Sequence, residues 1–223
     1  MLISKVIIYS SVIDEMKQFY VNELGFELIN SKESSFKIKV GDSELEFQND
    51  PANRNPFYHF AFNIPSNQFK EAKNWAKTKV ALNTEEGSDE VYFKQSDAYS
   101  FYFLDPSDNI VEFISRQSLS PKSNDIFSAI SILNISEINI TTHDVLSCGN
   151  QLIDFGIPVR DENSLEESFN FMGSKGAFLL LGSEKRKSFF SDKEAKIHPL
   201  SIEIDKVKII SMDELGNIKL GLL

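Results

Sequence analysis

A chain of 223 residues with 41% hydrophobic and 25% charged side chains carries enough apolar material for one large domain or two small ones, which argues against a disordered polypeptide. Its formal net charge of -10 argues against nucleic acid or an anionic membrane as the main partner, and 19 Phe favour broad, half-buried sheets over coiled coils. The single Cys148 excludes an internal disulfide framework and fits a reducing compartment. On its expected helix it reads as a buried structural thiol. The densest basic cluster, Lys185-Arg186-Lys187, reads as a solvated loop. No apolar run approaches the ~20 residues that span a bilayer, and Met1 to Lys5 lacks the pattern of a signal peptide, so a cytoplasmic protein is expected.

In chain order, Ile3 to Tyr9 predicts a strand, followed by a helix over Glu15 to Leu24 with Asp14 as its N-cap and Gly25 as its C-terminal stop. Short strands are expected at Phe26–Asn30, Ser35–Val40 and Glu44–Gln48, the last two joined by a Gly41-Asp42 hairpin. After the Pro- and Asn-rich loop Asn49 to Pro56 the pattern restarts. His59–Ile64 predicts a strand, and a helix capped by Ser66 or Asn67 runs to about Lys79. Strands follow near Ala81–Asn83, Glu90–Gln95, Ser100–Leu104 and Ile110–Ser115. Asp105-Pro106-Ser107-Asp108-Asn109 is a tight turn.

Gln117 to Asn124 lacks periodicity and reads as a linker. A third copy of the unit begins at Ile135, with a helix over Asp144 to Asp154 and strands near Ser168–Met172 and Ala177–Leu181. His198 to Ile204 resembles the opening strand of a fourth copy that is too short to be complete. Units of this size must pack on one another to bury their apolar faces. The reading is therefore an α+β fold of repeated β-α-β-β-β modules forming cupped mixed sheets. Two paired modules occupy 1–118, a linker 119–130, and a degenerate, truncated pair 131–223.

Three stretches carry a family resemblance: Val6–Tyr20 with Leu24-Gly25-Phe26; His59-Phe60-Ala61-Phe62; and Asp105-Pro106-Ser107-Asp108-Asn109-Ile110-Val111-Glu112. Together they resemble the vicinal oxygen chelate superfamily of glyoxalases, bleomycin-resistance proteins and extradiol dioxygenases. The resemblance is closest over residues 3 to 116 and weaker from 135 to 204. It implies a divalent metal (Fe, Mn, Ni or Zn) at the floor of a cup, held by residues of the first and last strands of each module. The positions are Lys5, Glu46, His59 and Glu112. Lys5 departs from the pattern, since an ammonium has no lone pair to donate.

The residues leave alternatives open. His59 and Glu112 are polar groups in apolar strands, and so are metal ligands, a buried hydrogen-bonded pair or, for His59, a residue at the mouth of an unrelated pocket. Glu46 shares a face with Glu44. It is a ligand or proton shuttle if that face is concave, and a surface acid otherwise. Lys5 is a surface lysine, an ion-pair partner of Glu46 or Glu112 that takes the metal's place, or a catalytic cation. Glu137 falls where Lys5 does in the first copy, and the third copy looks incapable of a metal site of its own. His198 aligns with His59, and His143 also remains. Two functions follow. One is a metal-dependent lyase, isomerase or dioxygenase acting on a small oxygen-rich molecule through Glu46, His59 and Glu112. The other is a non-catalytic binder of a cationic or planar compound, with Trp75, Tyr99 and Tyr102 as stacking surfaces. A small-molecule partner is expected in both, and a homodimer is compatible with the resemblance.

Overall fold

A computed structural model describes residues 1–223. The first module comprises β1 (Ile3–Ser10), α1 (Ile13–Lys17) running on into a π-helical turn at Gln18–Glu23, β2 (Leu28–Lys32), β3 (Ser35–Val40) and β4 (Ser43–Asn49). Strand alternation sorts its side chains as the sequence suggests. Val6, Ile8, Leu45 and Phe47 face the helix and are buried, while Lys5, Glu44 and Glu46 face the other side. Val12, not Asp14, stands at the start of α1, and Asp14 lies in its acidic first turn.

The second module runs β5 (His59–Ile64), α2 (Phe69–Lys77), β6 (Val91–Phe93), β7 (Ala98–Leu104) and β8 (Ile110–Arg116). Gln68 precedes α2 in place of the expected Ser66 or Asn67, and Leu82 makes only an isolated bridge to Phe103. The third runs β9 (Asn134–Thr142), α3 (Val145–Asp154), β10 (Phe169–Ser174) and β11 (Ala177–Ser183), with Asp144 capping α3 through a 2.9 Å bond from the Ser147 amide. The last stretch is a helix-free meander, β12 (Leu200–Ile204), β13 (Lys208–Met212) and β14 (Ile218–Leu222).

How the modules pair differs from expectation. β1 lies between β4 (parallel) and β12 (antiparallel), whereas β5 lies between β8 (parallel) and β9 (antiparallel). The sheet therefore curls into two cups. One joins the first module to the terminal meander, in the order β2-β3-β4-β1-β12-β13-β14. The other joins the second module to the third, in the order β6-β7-β8-β5-β9-β11-β10. A single bridge, Ile3 to Ile135, links them.

The opening strands of the two modules of 1–118 thus do not pair with each other: each takes its antiparallel partner from beyond the linker. The linker backbone docks on the entrance to α2: the Ser66 amide donates to Pro121 O at 3.0 Å, Asn67 Nδ2 to Ser123 O at 2.7 Å, and Gln68 Nε2 to Asp125 O at 2.5 Å. That path delivers β9 to the free edge of β5, where Asn63 Nδ2 donates to Asn134 Oδ1 at 2.7 Å. One continuous apolar core runs beneath both cups.

Candidate functional site

The turn before β8 positions the chemistry. The Asp105 carboxylate accepts from the Ser107 and Asn109 amides, from Asn109 Nδ2 and from the buried Tyr20 hydroxyl, all within 3.0 Å. Asn109 Oδ1 in turn accepts from the Tyr58 amide at 2.7 Å, and the Ile110 amide donates to Tyr58 O at 2.8 Å. This clamp fixes β5 against β8, with Ala61 level with Glu112 and His59 one pleat away on the same face. His59 Nε2 then lies 3.1 Å from Glu112 Oε2. The Asp-Pro-Ser-Asp-Asn motif thus acts as a register device for that pair.

The pair belongs to the second cup, and the third module supplies the opposite wall. Ala61 is level with Glu137 on β9, so Glu112 and Glu137 flank the same residue of β5. Arg116, at the end of β8, turns its buried guanidinium onto Glu137 Oε1 at 2.5 Å. It also donates to Ser136 Oγ at 3.0 Å and Asn63 Oδ1 at 3.3 Å. Burial and then the Glu112 charge push Glu137 up from the usual carboxylate range, against the pull of Arg116. Burial and the same two carboxylates push the Tyr102 phenol well up, so it stays protonated. His59, Tyr102, Glu112, Arg116 and Glu137, with the apolar side chains of β10 and β11, line an open cavity of about 370 Å³ whose wall includes Phe169, Phe171 and Leu180.

Glu46 is not brought to this spot. It lies in the first cup, where Lys5 Nζ sits 2.9 Å from its carboxylate and 4.0 Å from Glu203 of β12. Burial works to raise Glu46, but hydrogen bonds from Lys5 and Gln48 more than offset it and hold the carboxyl below its usual range. Of the open readings for Lys5, the structure shows the ion pair with Glu46. Glu112 is not its partner. In each cup, then, a protein cation stands among carboxylates: Lys5 in the first, Arg116 in the second.

The second cup's donors do not fit a resident metal. His59 and Glu112 supply two ligands, but Glu137 is engaged by a guanidinium, whose charge would repel a divalent ion beside it. No group of three His, Cys, Asp or Glu side chains is arranged to hold an ion anywhere in the chain.

Other expected residues lie elsewhere. His198 precedes β12 and packs edge-on against Phe57 and Tyr58, away from His59's position in a strand. His143 is exposed beside Glu184. Cys148 is buried, and burial pushes its thiol up to about 12. Trp75 packs on Phe113 and Phe127 in the core, and Tyr99 on Phe69 and Tyr92; of the three aromatics only Tyr102 lines the cavity. The sequence reading missed Arg116, Arg160 and Arg186 and gave Glu137 no role in a site. A charged residue amid Ile135, Ile138 and Ile140 was the available signal for Glu137. No helix is long and apolar enough to cross a membrane.

Comparison with known proteins bears on the fold. A family profile described as toxoflavin-degrading enzyme matches residues 135–186, the third module. A candidate dioxygenase from Bacillus subtilis superposes over 100% of this chain and 84% of its own, with TM-score 0.61 and 11% identity. The fosfomycin resistance protein FosX from Listeria monocytogenes, solved with Mn(II), covers 52% of this chain and 89% of its own (TM-score 0.40, 19% identity). A bleomycin-binding protein solved with bleomycin covers 50% and 95% (TM-score 0.40, 17% identity). Among curated proteins there is no match. The module order, the cupped sheets and the full-length superposition agree: this chain has a dioxygenase- and glyoxalase-like fold.

Proposed function

We propose that the second cup binds a small organic molecule by direct contact with protein groups, as a binding protein of the bleomycin-resistance kind. The observation that carries this reading is the cavity of about 370 Å³ whose buried polar floor is already internally paired, His59 with Glu112 and Arg116 with Glu137. A floor so satisfied costs little to hold in the apolar sheet. His59 and Glu112 can still exchange a hydrogen bond with a ligand hydroxyl or ring N–H, while the Tyr102 hydroxyl serves as donor. The relatives solved with a phosphonic acid or with bleomycin hold small ligands, which supports this reading.

The test is titration with an uncharged planar probe, 2-naphthamide, followed by the change in protein fluorescence. Leu180→Trp, which fills the cavity from β11, is expected to abolish the binding. Equal binding to both proteins would remove the cup from consideration.

A second reading, a metal-dependent lyase, isomerase or dioxygenase, draws support from the His59–Glu112 contact. It requires a third donor, and so requires Glu137 to leave Arg116. Glu46 has no part in it, being in the other cup. Elemental analysis separates the two readings.

A further inference from the structure

The cavity's mouth carries a charge pattern opposite to that of the whole protein. Against a formal net charge of -10, the wall contributes Lys94, Arg160 and Arg186. The two carboxylates of the floor are already engaged, Glu137 by Arg116 and Glu112 by His59. Arg160 has only its chain neighbour Asp161, 3.6 Å away and 80% exposed, where water screens the pair. Lys94 has no acidic partner within salt-bridge distance.

Arg186 is the sharper case. Its guanidinium lies 4.0 Å from the centre of the Phe169 ring, and burial pulls it below its usual value. Its one hydrogen bond is a long 3.4 Å contact from Nη2 to Asn139 Oδ1. Its Nε is buried with no partner at all, and no carboxylate lies within 4.0 Å. A guanidinium partly withdrawn from water without an anion is costly, and its stack on Phe169 and one long hydrogen bond offset only part of that cost.

Arg160 repeats the arrangement one pleat along, stacked 4.4 Å from the centre of Phe171 with Nη1 on Ser96 Oγ at 3.2 Å. Phe169 and Phe171 share one face of β10. The wall is therefore a row of aromatic rings carrying guanidinium groups with unused N–H donors. A guanidinium carries five N–H donors, so Arg186 keeps donors besides the buried Nε and the engaged Nη2 for the oxygens of a carboxylate or phosphoryl group.

We infer that the ligand of this cup is an aromatic or heteroaromatic oxyanion, whose ring packs beside the T-shaped pair Phe169 and Phe171 and whose carboxylate or phosphoryl oxygens dock on Arg186, with Arg160 as second cation. This rests on the binding function proposed above and adds the charge of the ligand to it. The cup favours anions, not the cationic compound that the overall charge suggested.

The test compares 2-naphthoate, 2-naphthyl phosphate, uncharged 2-naphthamide and cationic 2-naphthylmethylammonium by calorimetric titration of the full chain. One or both anions are expected to bind at least tenfold more tightly than the amide, and whichever binds tighter identifies the oxyanion. Arg186→Met should remove that advantage, so that both anions bind this variant no more tightly than the amide binds it, and Arg186→Lys should retain part of it. Because the charge is unpaired, Arg186→Met is also expected to leave the melting temperature unchanged or raise it; a fall of several degrees would mark Arg186 as a structural residue. Anions that bind no better than the amide, or that bind Arg186→Met undiminished, would overturn the inference. Amide binding that Leu180→Trp blocks, with no preference for anions, would overturn this inference alone. Amide binding that Leu180→Trp leaves intact would instead defeat the proposed site.

Discussion

Arg116 and Glu137 come from modules on opposite sides of the linker, and their contact at 2.5 Å is buried on both sides, with 3% and 7% of the side chains exposed. Replacing Arg116 with Met leaves a carboxylate in the sheet with no counter-charge. The cost of such a change is about 3–5 kcal/mol. At about 2–4 °C per kcal/mol for a chain of this size, the melting temperature should fall by at least ~6 °C. Glu137→Leu should cost a similar amount, because it strands the guanidinium. The double variant Arg116→Met/Glu137→Leu should recover most of the loss, since well-packed apolar side chains replace a buried pair at little net cost. It still gives up the bonds from Arg116 to Ser136 and Asn63, so recovery to within about 2 kcal/mol of the parent is expected. Thermal and urea unfolding of the four proteins give the coupling energy directly. A coupling below about 1 kcal/mol would mean that the second and third modules do not meet through this pair, and the two-cup assignment would fall with it.

The remaining predictions concern the first cup and the acid stability. Lys5→His puts an imidazole between Glu46 and Glu203 and completes three donors, so Zn(II) binding should appear in calorimetry where the parent shows none at that cup; an unchanged titration would show that these strands are not aligned as described. Burial, then the charges of Lys196 and Arg54, holds His198 at about 4, and its Nε2 is buried without a partner. The unfolded chain takes up that proton near pH 6.5, so the folded state loses up to about 3 kcal/mol as pH falls from about 6.5 to 4, with full stability above that window. Asp105, raised to about 6 chiefly by burial, acts in the opposite sense over much of the same range, so the difference between parent and His198→Phe isolates the histidine. Denaturant unfolding of the two at pH 7 and pH 4.5 should show the gap between them change in the variant's favour at the lower pH, and a constant gap would refute the assignment.

What the sequence made legible was local. Helical spacing at Met16, Phe19 and Tyr20, strand alternation through Leu45 and Phe47, and the turn chemistry of Asp105 to Asn109 each depend on near neighbours, and each is found in the structure. The same turn brought His59 and Glu112 together because it fixes one pair of parallel strands. The pairing of modules was not legible. The opening strands Ile3–Ser10, His59–Ile64, Asn134–Thr142 and Leu200–Ile204 all offer similar apolar edges, so no side-chain pattern announces which of them pair. That is why Glu46 was expected beside His59.

Arg186 was hidden for a related reason. In the run Lys185-Arg186-Lys187 the backbone of Lys185 has φ +64°, and Lys187 is 63% exposed, so the chain turns the middle residue alone inward. Three adjacent cations look alike in a sequence, whereas the loop treats them differently.

In the function proposed above, protein groups hold the ligand in the second cup, with Arg116 engaged on Glu137 in place of a metal. The most direct test is elemental analysis of protein exposed to Mn(II), Fe(II), Ni(II) and Zn(II) and then desalted, with Glu112→Gln alongside. The prediction is a metal content far below one per chain and equal in the two proteins. One metal ion per chain, lost in Glu112→Gln, would contradict it.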